Sequence, residues 1–103
     1  MAKLAQHDVE SRLRNMPNWS LKGDAITRTM KFPSFPDAIA FATRLAFSAE
    51  ASDHHPDLHI NFRTVTISWN THSEGGVTEK DFAGAKISDT IAAALGAQSG
   101  TGQ

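Results

Sequence analysis

The first third of the chain changes from a helical to a strand-like pattern of apolar residues. Four apolar residues recur at near-helical spacing: Leu4, Val9, Leu13 and Met16. Because Pro17 follows them directly, they predict a short amphipathic helix. The turn-like segment 22–24 then lies between residues 19–21 and residues 26–32. Apolar and polar residues alternate over 26–32, and Arg28 is the one polar residue on the apolar side. This pattern predicts two antiparallel strands joined as a hairpin.

The middle of the chain predicts one long helix. Ser34 lies three residues before Asp37, a spacing typical of a helix N-cap, and we expect the helix to continue to Ser52. Its expected apolar stripe consists of Phe35, Ile39, Ala42, Leu45, Ala46 and Ala49. Phe41 and Phe47 fall off that stripe. Either the core wraps widely around this helix, or a second apolar face contacts another subunit.

Two further strands are predicted after Pro56. Apolar and polar residues alternate over residues 58–62 and again over residues 64–70, with Arg63 in the tight connection. If helices cover only one face of the resulting sheet, the other face is polar and open. That open face is expected to carry Thr27, Thr29, His59, Asn61, Thr66 and Ser68.

The last predicted helix begins with a capping signature. Thr78 precedes Asp81 by three residues, and Val77 is placed to pack on Phe82. The apolar positions that follow are Ile87, Ile91 and Leu95, and Gly96 ends the helix. The full order is α-β-β-α-β-β-α. It predicts an α+β fold in which a single layer of four antiparallel strands carries three helices on one face.

Length and composition allow one domain of this kind. The chain has 103 residues, of which 40% are hydrophobic, and a second domain would need roughly 50 more residues. We expect a single domain over residues 1–96 and a flexible C-terminal tail over residues 97–103, whose sequence is AQSGTGQ. Because a chain of this size has a small core, we also expect self-association as a homodimer or homotetramer.

Charge and residue inventory exclude several classes of protein. Ten Lys and Arg against eleven Asp and Glu leave no basic excess for binding nucleic acid. No apolar run approaches the ~20 residues of a membrane span, and residues 1–10 contain no hydrophobic signal core, so we expect no membrane partner and a cytoplasmic location. The lack of cysteine excludes disulfides and thiol nucleophiles. Glycine-rich nucleotide motifs and the G-x-S-x-G motif are missing as well.

Four of the five histidines fall between residues 54 and 72: they are His54, His55, His59 and His72. If the last two strands form a hairpin, the chain at His72 returns to the end of the sheet where residues 53–56 lead into the first of these strands. His54, His55 and His72 should therefore lie close together there. Three interpretations fit them: surface histidines with packing roles, a metal site completed by Asp53 or Glu50, and general acid/base catalysis. No H-x-x-x-H or H-E-x-x-H pair on a predicted helix fixes the geometry of a metal site, whereas imidazole exchanges protons near neutral pH.

The order and spacing of these residues resemble the pterin-4a-carbinolamine dehydratases. The mammalian member of that family is also the dimerisation cofactor of a homeodomain transcription factor. The residues that carry the resemblance are Glu50-x-x-Asp53-His54-His55-Pro56, the aromatic Phe62, Thr71-His72, and Asp81 after a Gly-containing loop. Supporting matches are Asn18-Trp19-x-Leu21, Phe32-x-x-Phe35 and Phe41-x-x-Arg44, so the likeness extends over residues 13–95.

The resemblance implies an enzyme of the hydro-lyase class that uses no cofactor, and the lack of ligand spacing typical of a zinc site predicts that it uses no metal. Its members dehydrate 4a-hydroxytetrahydropterin to quinonoid dihydropterin, which recycles the pterin cofactor of aromatic amino acid hydroxylases. By position, the catalytic residues are His54, His55 and His72, with His54 and His72 as the acid/base pair. The positions around the substrate are Glu50, Asp53, Pro56, Thr71, Ser73, Glu74 and Asp81. The resemblance implies that Asp81 orients a histidine or a ring nitrogen, and its position three residues after Thr78 predicts the alternative role of capping the last helix.

The chain departs from the family pattern at three scaffold positions. Many relatives carry an aromatic, a tyrosine and an aliphatic residue where this chain has Leu58, Phe62 and Trp69, respectively. These departures concern packing more than chemistry. A non-enzymatic dimeric interaction or coactivator module on the same scaffold is the alternative function, and the complete set of histidines favours the enzyme. The implied partners are a small-molecule pterin and further copies of this chain.

Overall fold

The computed structural model describes residues 2–99. Its helices are α1 (Gln6–Leu13), α2 (Phe35–Ser52) and α3 (Glu79–Ala94). Its strands are β1 (Ser20–Lys22), β2 (Ala25–Lys31), β3 (Asp57–Asn61), β4 (Thr64–Trp69) and β5 (Gln98–Ser99), and a 3-10 turn spans His72–Glu74. The predicted α+β fold and the predicted order of its elements up to α3 are confirmed. Within residues 2–99 no helix is long and apolar enough to cross a membrane.

The strands form one antiparallel sheet in the order β1-β2-β4-β3. β5 is a fifth strand that the sequence does not predict, and it pairs with Met30 and Lys31 of β2. This pairing arises because β1 covers β2 only as far as Thr27, so the backbone groups further along that edge need other partners. Residues 98–99 of the predicted tail therefore belong to the sheet, and residues 100–103 lie outside the described part of the chain.

One face of the sheet is apolar and the other carries hydroxyl groups, as the alternation predicts. The buried residues of the two central strands include Ile26, Met30, Val65, Ile67 and Trp69. On the opposite face the side-chain oxygens of Thr27 and Ser68 lie 3.0 Å apart, and those of Thr29 and Thr66 lie 3.1 Å apart. His59 pairs with Thr66 across β3 and β4 and so belongs to this open face.

Arg28, the polar exception on the apolar side of β2, is buried and is paired with a half-buried carboxylate. Its guanidinium lies 2.5 Å from Oδ1 of Asp89 on α3. The same carboxylate accepts a hydrogen bond from the indole N–H of Trp19 at 3.0 Å. A buried charge is tolerated when it is paired. Arg28 therefore ties the sheet to α3 at a position where alternation calls for an apolar residue.

The prediction for the apolar stripe of α2 is wrong, because the helix buries a face that is rotated about its axis from the predicted one. The residues that α2 buries are Ala38, Phe41, Leu45 and Ala49, and the ring of Phe41 lies 5.1 Å from that of Phe32. Phe35 and Ile39, both assigned to the stripe, are 48% and 40% exposed. Phe47 is 76% exposed. Because apolar residues occur all around this helix, periodicity leaves several rotations open, and packing on the sheet selects one of them.

Helix α3 begins as predicted but also buries a different face. Thr78 and Asp81 form a reciprocal capping box. The buried residues of α3 are Asp81, Phe82, Gly84, Ala85, Ser88 and Ala92, whereas Ile87 is 38% exposed. Small residues on the buried face let α3 approach the sheet closely. This close approach builds the site described next.

Candidate active site

The end of α2 positions His54. Asp53 adopts a left-handed backbone conformation with φ of 52°, which aspartate tolerates better than most residues. The N–H groups of Asp53 and His54 donate to the carbonyls of Glu50 and Ala49, each at 3.1 Å. Asp53 thus ends the helix through its backbone. The turn brings the next side chain, that of His54, to α3.

A buried carboxylate on α3 holds the imidazole of His54. Oδ1 of Asp81 lies 2.6 Å from Nε2 of His54, and the two side chains are 0% and 13% exposed. The other oxygen, Oδ2, accepts hydrogen bonds at 2.9 Å from the hydroxyl of Thr71 and from the N–H of Thr78. The two roles considered for Asp81 are therefore combined, since one oxygen caps the helix while the other contacts the histidine.

The directions of the hydrogen bonds around Asp81 follow from its neighbours. Because Thr71 donates to Asp81, the 2.8 Å contact between the hydroxyls of Thr71 and Thr78 has Thr78 as its donor. The oxygen of Thr78 in turn accepts from the N–H of Lys80 at 3.2 Å. All partners of Asp81 can be donors, which suits an ionised carboxylate. With such a carboxylate, Nε2 of His54 is the donor in the contact with Asp81, and Nδ1 is the other ring nitrogen.

The ring of His54 also stacks on Trp69 and borders a cavity. The two ring centroids lie 5.3 Å apart with an angle of 27° between the planes. The cavity has a volume of about 110 Å³ and lies between α2 and α3. Its lining is mainly apolar, and its ionisable side chains are His54 and Lys80. The imidazole of His54 is therefore held by Asp81 at Nε2 and by Trp69 on one ring face, and it lies beside an apolar cavity.

His72 lies at the same end of the sheet but borders the open face. β4 ends at Trp69, and His72 is the first residue of the 3-10 turn that follows. Backbone hydrogen bonds between Thr71 and Gly76 close the loop that follows β4. His72 is exposed and lines a groove of about 480 Å³ together with polar residues of the sheet such as Ser68.

Comparison of this chain with known proteins identifies its family. Residues 2–91 match the sequence model of the family described as pterin 4 alpha carbinolamine dehydratase. The chain belongs to this family.

Curated dehydratase relatives cover most of the chain. A Roseiflexus protein named in this family is 48% identical over 80 residues, which are 78% of this chain and 86% of that protein. One from Chloroflexus aurantiacus is 45% identical over 91 residues, which are 88% of this chain and 98% of that protein. The resemblance found from the histidine pattern is thereby confirmed at the level of the family.

Solved structures agree with the fold. A Brucella melitensis protein described as a transcriptional coactivator/pterin dehydratase has a TM-score of 0.82 and 37% identity, covering 87% of this chain and 98% of that chain. A pterin dehydratase-like protein, described as a RuBisCO assembly factor in the alpha-carboxysome, has a TM-score of 0.60 and 23% identity, covering 72% of this chain and 86% of the other. The second likeness concerns the fold alone.

The other dehydratase positions taken from the resemblance lie around this end of the sheet. Nε2 of His55 lies 2.8 Å from Oε1 of Glu50, and both side chains are mostly exposed. Pro56 is half-buried, and Ser73 and Glu74 lie exposed in the 3-10 turn. Within residues 2–99 no three histidine and carboxylate side chains are grouped so that they could hold a metal ion.

Sequence reasoning missed part of the surroundings of His54. From the sequence, Trp69 is a scaffold position only, and Gly84, Ser88 and Lys80 are not among the predicted site residues. The available signal was the pair Gly84 and Ser88, a glycine and a serine one turn apart on the predicted last helix. Such a pair leaves room, and a hydroxyl, for a large side chain from another element.

Proposed function

We propose that this chain dehydrates 4a-hydroxytetrahydropterin to quinonoid dihydropterin and water, and so recycles the cofactor of a pterin-dependent hydroxylase. The observation that carries the proposal is the bridge formed by Asp81. Its carboxylate contacts His54 and also Thr71, the residue before His72. Asp81 therefore contacts one of the two histidines directly and holds the residue that precedes the other, at one end of the sheet.

The reaction needs two proton transfers and no redox step. The C4a–O bond breaks with its electron pair on oxygen, and a proton from a general acid makes the leaving group water. The N5–H bond breaks, its proton passes to a general base, and its electron pair forms the N5=C4a double bond. One proton is supplied and one is taken up, so the enzyme ends with its starting number of protons. Imidazole suits both roles because its ordinary pKa is about 6.5.

His54 and His72 are the proposed acid/base pair. Since Nε2 of His54 is engaged by Asp81, Nδ1 is the atom that gives or takes the proton in either role. The ionised Asp81 stabilises the imidazolium form that occurs during the cycle. His72 is exposed and exchanges its proton with water. In this proposal the pterin lies across the end of β3 and β4 between these two histidines, next to His55 and Glu50.

The alternative is a non-enzymatic interaction module, and the Brucella relative is described partly as a transcriptional coactivator. The interior of the site favours the enzyme. Burying a carboxylate and an imidazole removes both from water and costs free energy. A surface that only binds a partner does not need a nearly buried imidazole held by a carboxylate, whereas a proton-transfer site does.

The decisive experiment measures dehydration directly. A pterin-dependent hydroxylase generates the 4a-hydroxy compound in situ, and the absorbance of the quinonoid product is followed with and without this protein. We expect dehydration well above the spontaneous rate, and loss of most of the increase with His54→Ala. A wild-type rate equal to the spontaneous rate, with folded protein, would exclude the enzyme.

A further inference from the structure

The indole of Trp69 is seated against the backbone of α3. A Cβ placed on Gly84 would lie 2.7 Å from Cε2 and Cζ2 of that indole, closer than real Cβ contacts occur. The indole N–H donates to Oγ of Ser88 at 3.1 Å, and Ser88 donates to the carbonyl of Gly84 at 2.8 Å. Trp69 is 2% exposed and Ser88 is 0% exposed. Gly84 provides the space and Ser88 fixes the orientation of the ring.

A single hydrogen bond does not fix the plane of an imidazole. The contact between Nε2 of His54 and Asp81 leaves the ring able to rotate about the line that joins those two atoms. Stacking on Trp69 at 5.3 Å removes that freedom, because the imidazole must stay nearly parallel to the indole. The two contacts together determine where Nδ1 points.

We propose that Trp69, seated by Gly84 and Ser88, is a positioning residue that sets the plane of the His54 ring and therefore the direction of Nδ1. The inference rests on the proposed function, in which Nδ1 transfers the proton. Trp69 lines the cavity beside His54 but not the open groove of His72, and it contacts the His54 ring, so in this proposal its effect on turnover passes through His54. Asp81, which contacts His54, and Lys80, which lines the same cavity, both stay unchanged in the variants chosen below.

The test compares two ways of losing a buried tryptophan. Trp69→Leu removes the stacking ring, whereas Trp69→Phe keeps an aromatic ring without the N–H. Trp19→Leu is the matched control, since Trp19 is also buried, at 4% exposed, and donates its N–H to Asp89 instead of lying on His54. Each variant is studied by NMR of the His54 ring, assigned by comparison with His54→Asn, and by steady-state kinetics.

We expect the ring protons of His54 to lose their indole ring-current shift in Trp69→Leu and largely to keep it in Trp69→Phe. Turnover should fall by roughly 10- to 100-fold in Trp69→Leu, the cost of a misplaced reacting group, with KM changed less than kcat. Trp69→Phe should recover most of kcat. Trp19→Leu should leave the His54 resonances and kcat close to those of the wild type.

The inference is overturned if Trp69→Leu changes His54 no more than Trp19→Leu does. If Trp69→Leu does not fold, Gly84→Ala takes its place, because the added methyl group must displace the indole while alanine favours the helix. Unchanged His54 resonances in Gly84→Ala would also overturn it. The NMR measurement needs no substrate. A wild type without dehydratase activity would therefore reject the proposed function, and the spectra would still decide whether Trp69 orients His54.

Discussion

Asp81 and His54 are in contact at 2.6 Å although 27 positions separate them in the chain. The same carboxylate caps α3 through its other oxygen. The start of this helix and the orientation of the candidate catalytic histidine therefore depend on one residue. A change at Asp81 should affect stability and activity to different extents, which makes the two roles separable.

Asp81→Asn should reduce kcat by about 100-fold or more while the protein remains folded. The amide keeps an oxygen that can cap the helix, but it carries no charge to stabilise an imidazolium and can present an N–H to Nε2 of His54. We expect a loss of about 1–2 kcal/mol in the free energy of unfolding. Kinetics and urea denaturation of the same preparation measure both quantities.

Asp37→Asn is the matched control for that variant. Asp37 occupies the same position in α2, three residues after its N-cap Ser34, and its side chain contacts the hydroxyl of Ser34 at 2.8 Å. This substitution should cost a similar amount of stability and leave kcat within about threefold, as for a change away from the site. Equal losses of kcat in both variants would mean that Asp81 acts only through folding.

His54→Ala and His72→Ala should each reduce turnover by roughly 10²- to 10⁴-fold, the usual contribution of one positioned acid or base. If the two act as one unit, the double variant should lose less than the product of the single losses. His59→Ala is the internal control, because His59 lies mid-strand on the open face, and its kcat should stay within about threefold. A large loss at His59 with little effect at His54 would put the site elsewhere on the sheet.

The ion pair between α1 and α3 should make stability depend on pH below the neutral range. The hydrogen bond from Arg12 lowers the pKa of Glu79, and the same bond raises the pKa of Arg12. Since the pKa of Glu79 is lowered by folding, its contribution is complete above the ordinary glutamate value of about 4.3 and is lost as the pH falls through the folded-state value.

Glu79→Gln should therefore melt below the wild type at pH 7, and the two melting temperatures should converge in acid, below a pH of about 4. High salt at pH 7 should also bring them closer, because the pair is solvent-exposed. Glu10→Gln is the control, because it also removes one negative charge. Glu10 is exposed on α1, and its carboxylate accepts a hydrogen bond from the neutral Gln6. A constant difference from pH 7 to pH 3 would contradict the prediction.

The chain should form a symmetric oligomer. Large apolar side chains are exposed on α2, with Phe47 at 76% and Phe35 at 48%, and Phe62 at the β3–β4 turn is 66% exposed. Exposed apolar surface of this kind marks contacts with other molecules. Sedimentation velocity should show a dimer or tetramer at micromolar concentration, and Phe47→Glu should weaken it more than Thr90→Glu on α3. An active wild-type monomer would contradict this prediction.

Activity should not depend on a metal ion. The candidate site uses histidines and carboxylates in hydrogen bonds with each other, and proton transfer alone accounts for the proposed reaction. We expect full activity after dialysis against a chelator, with less than stoichiometric metal by elemental analysis. About one zinc per chain, with activity lost on its removal and restored on its return, would contradict it.

Local patterns determined the elements of this protein. The cap at Ser34, the capping box at Thr78 and Asp81, and the alternation of β4 each depend on residues within a few positions of one another, and each was readable from the sequence. The family was also readable, because the order and spacing of the histidines resemble those of the dehydratases, and the match over residues 2–91 confirms the family. Both kinds of signal lie in the order of residues alone.

Tertiary structure decided which face of each helix is buried and what each functional residue contacts. The chain order does not show that Phe41 rather than Ile39 meets the sheet, or that Trp69 fits against Gly84 and stacks on His54. These outcomes depend on the shapes of surfaces that meet only when distant segments pack together. Several rotations of an apolar helix satisfy the same periodicity, and only close packing in the complete core distinguishes them by free energy.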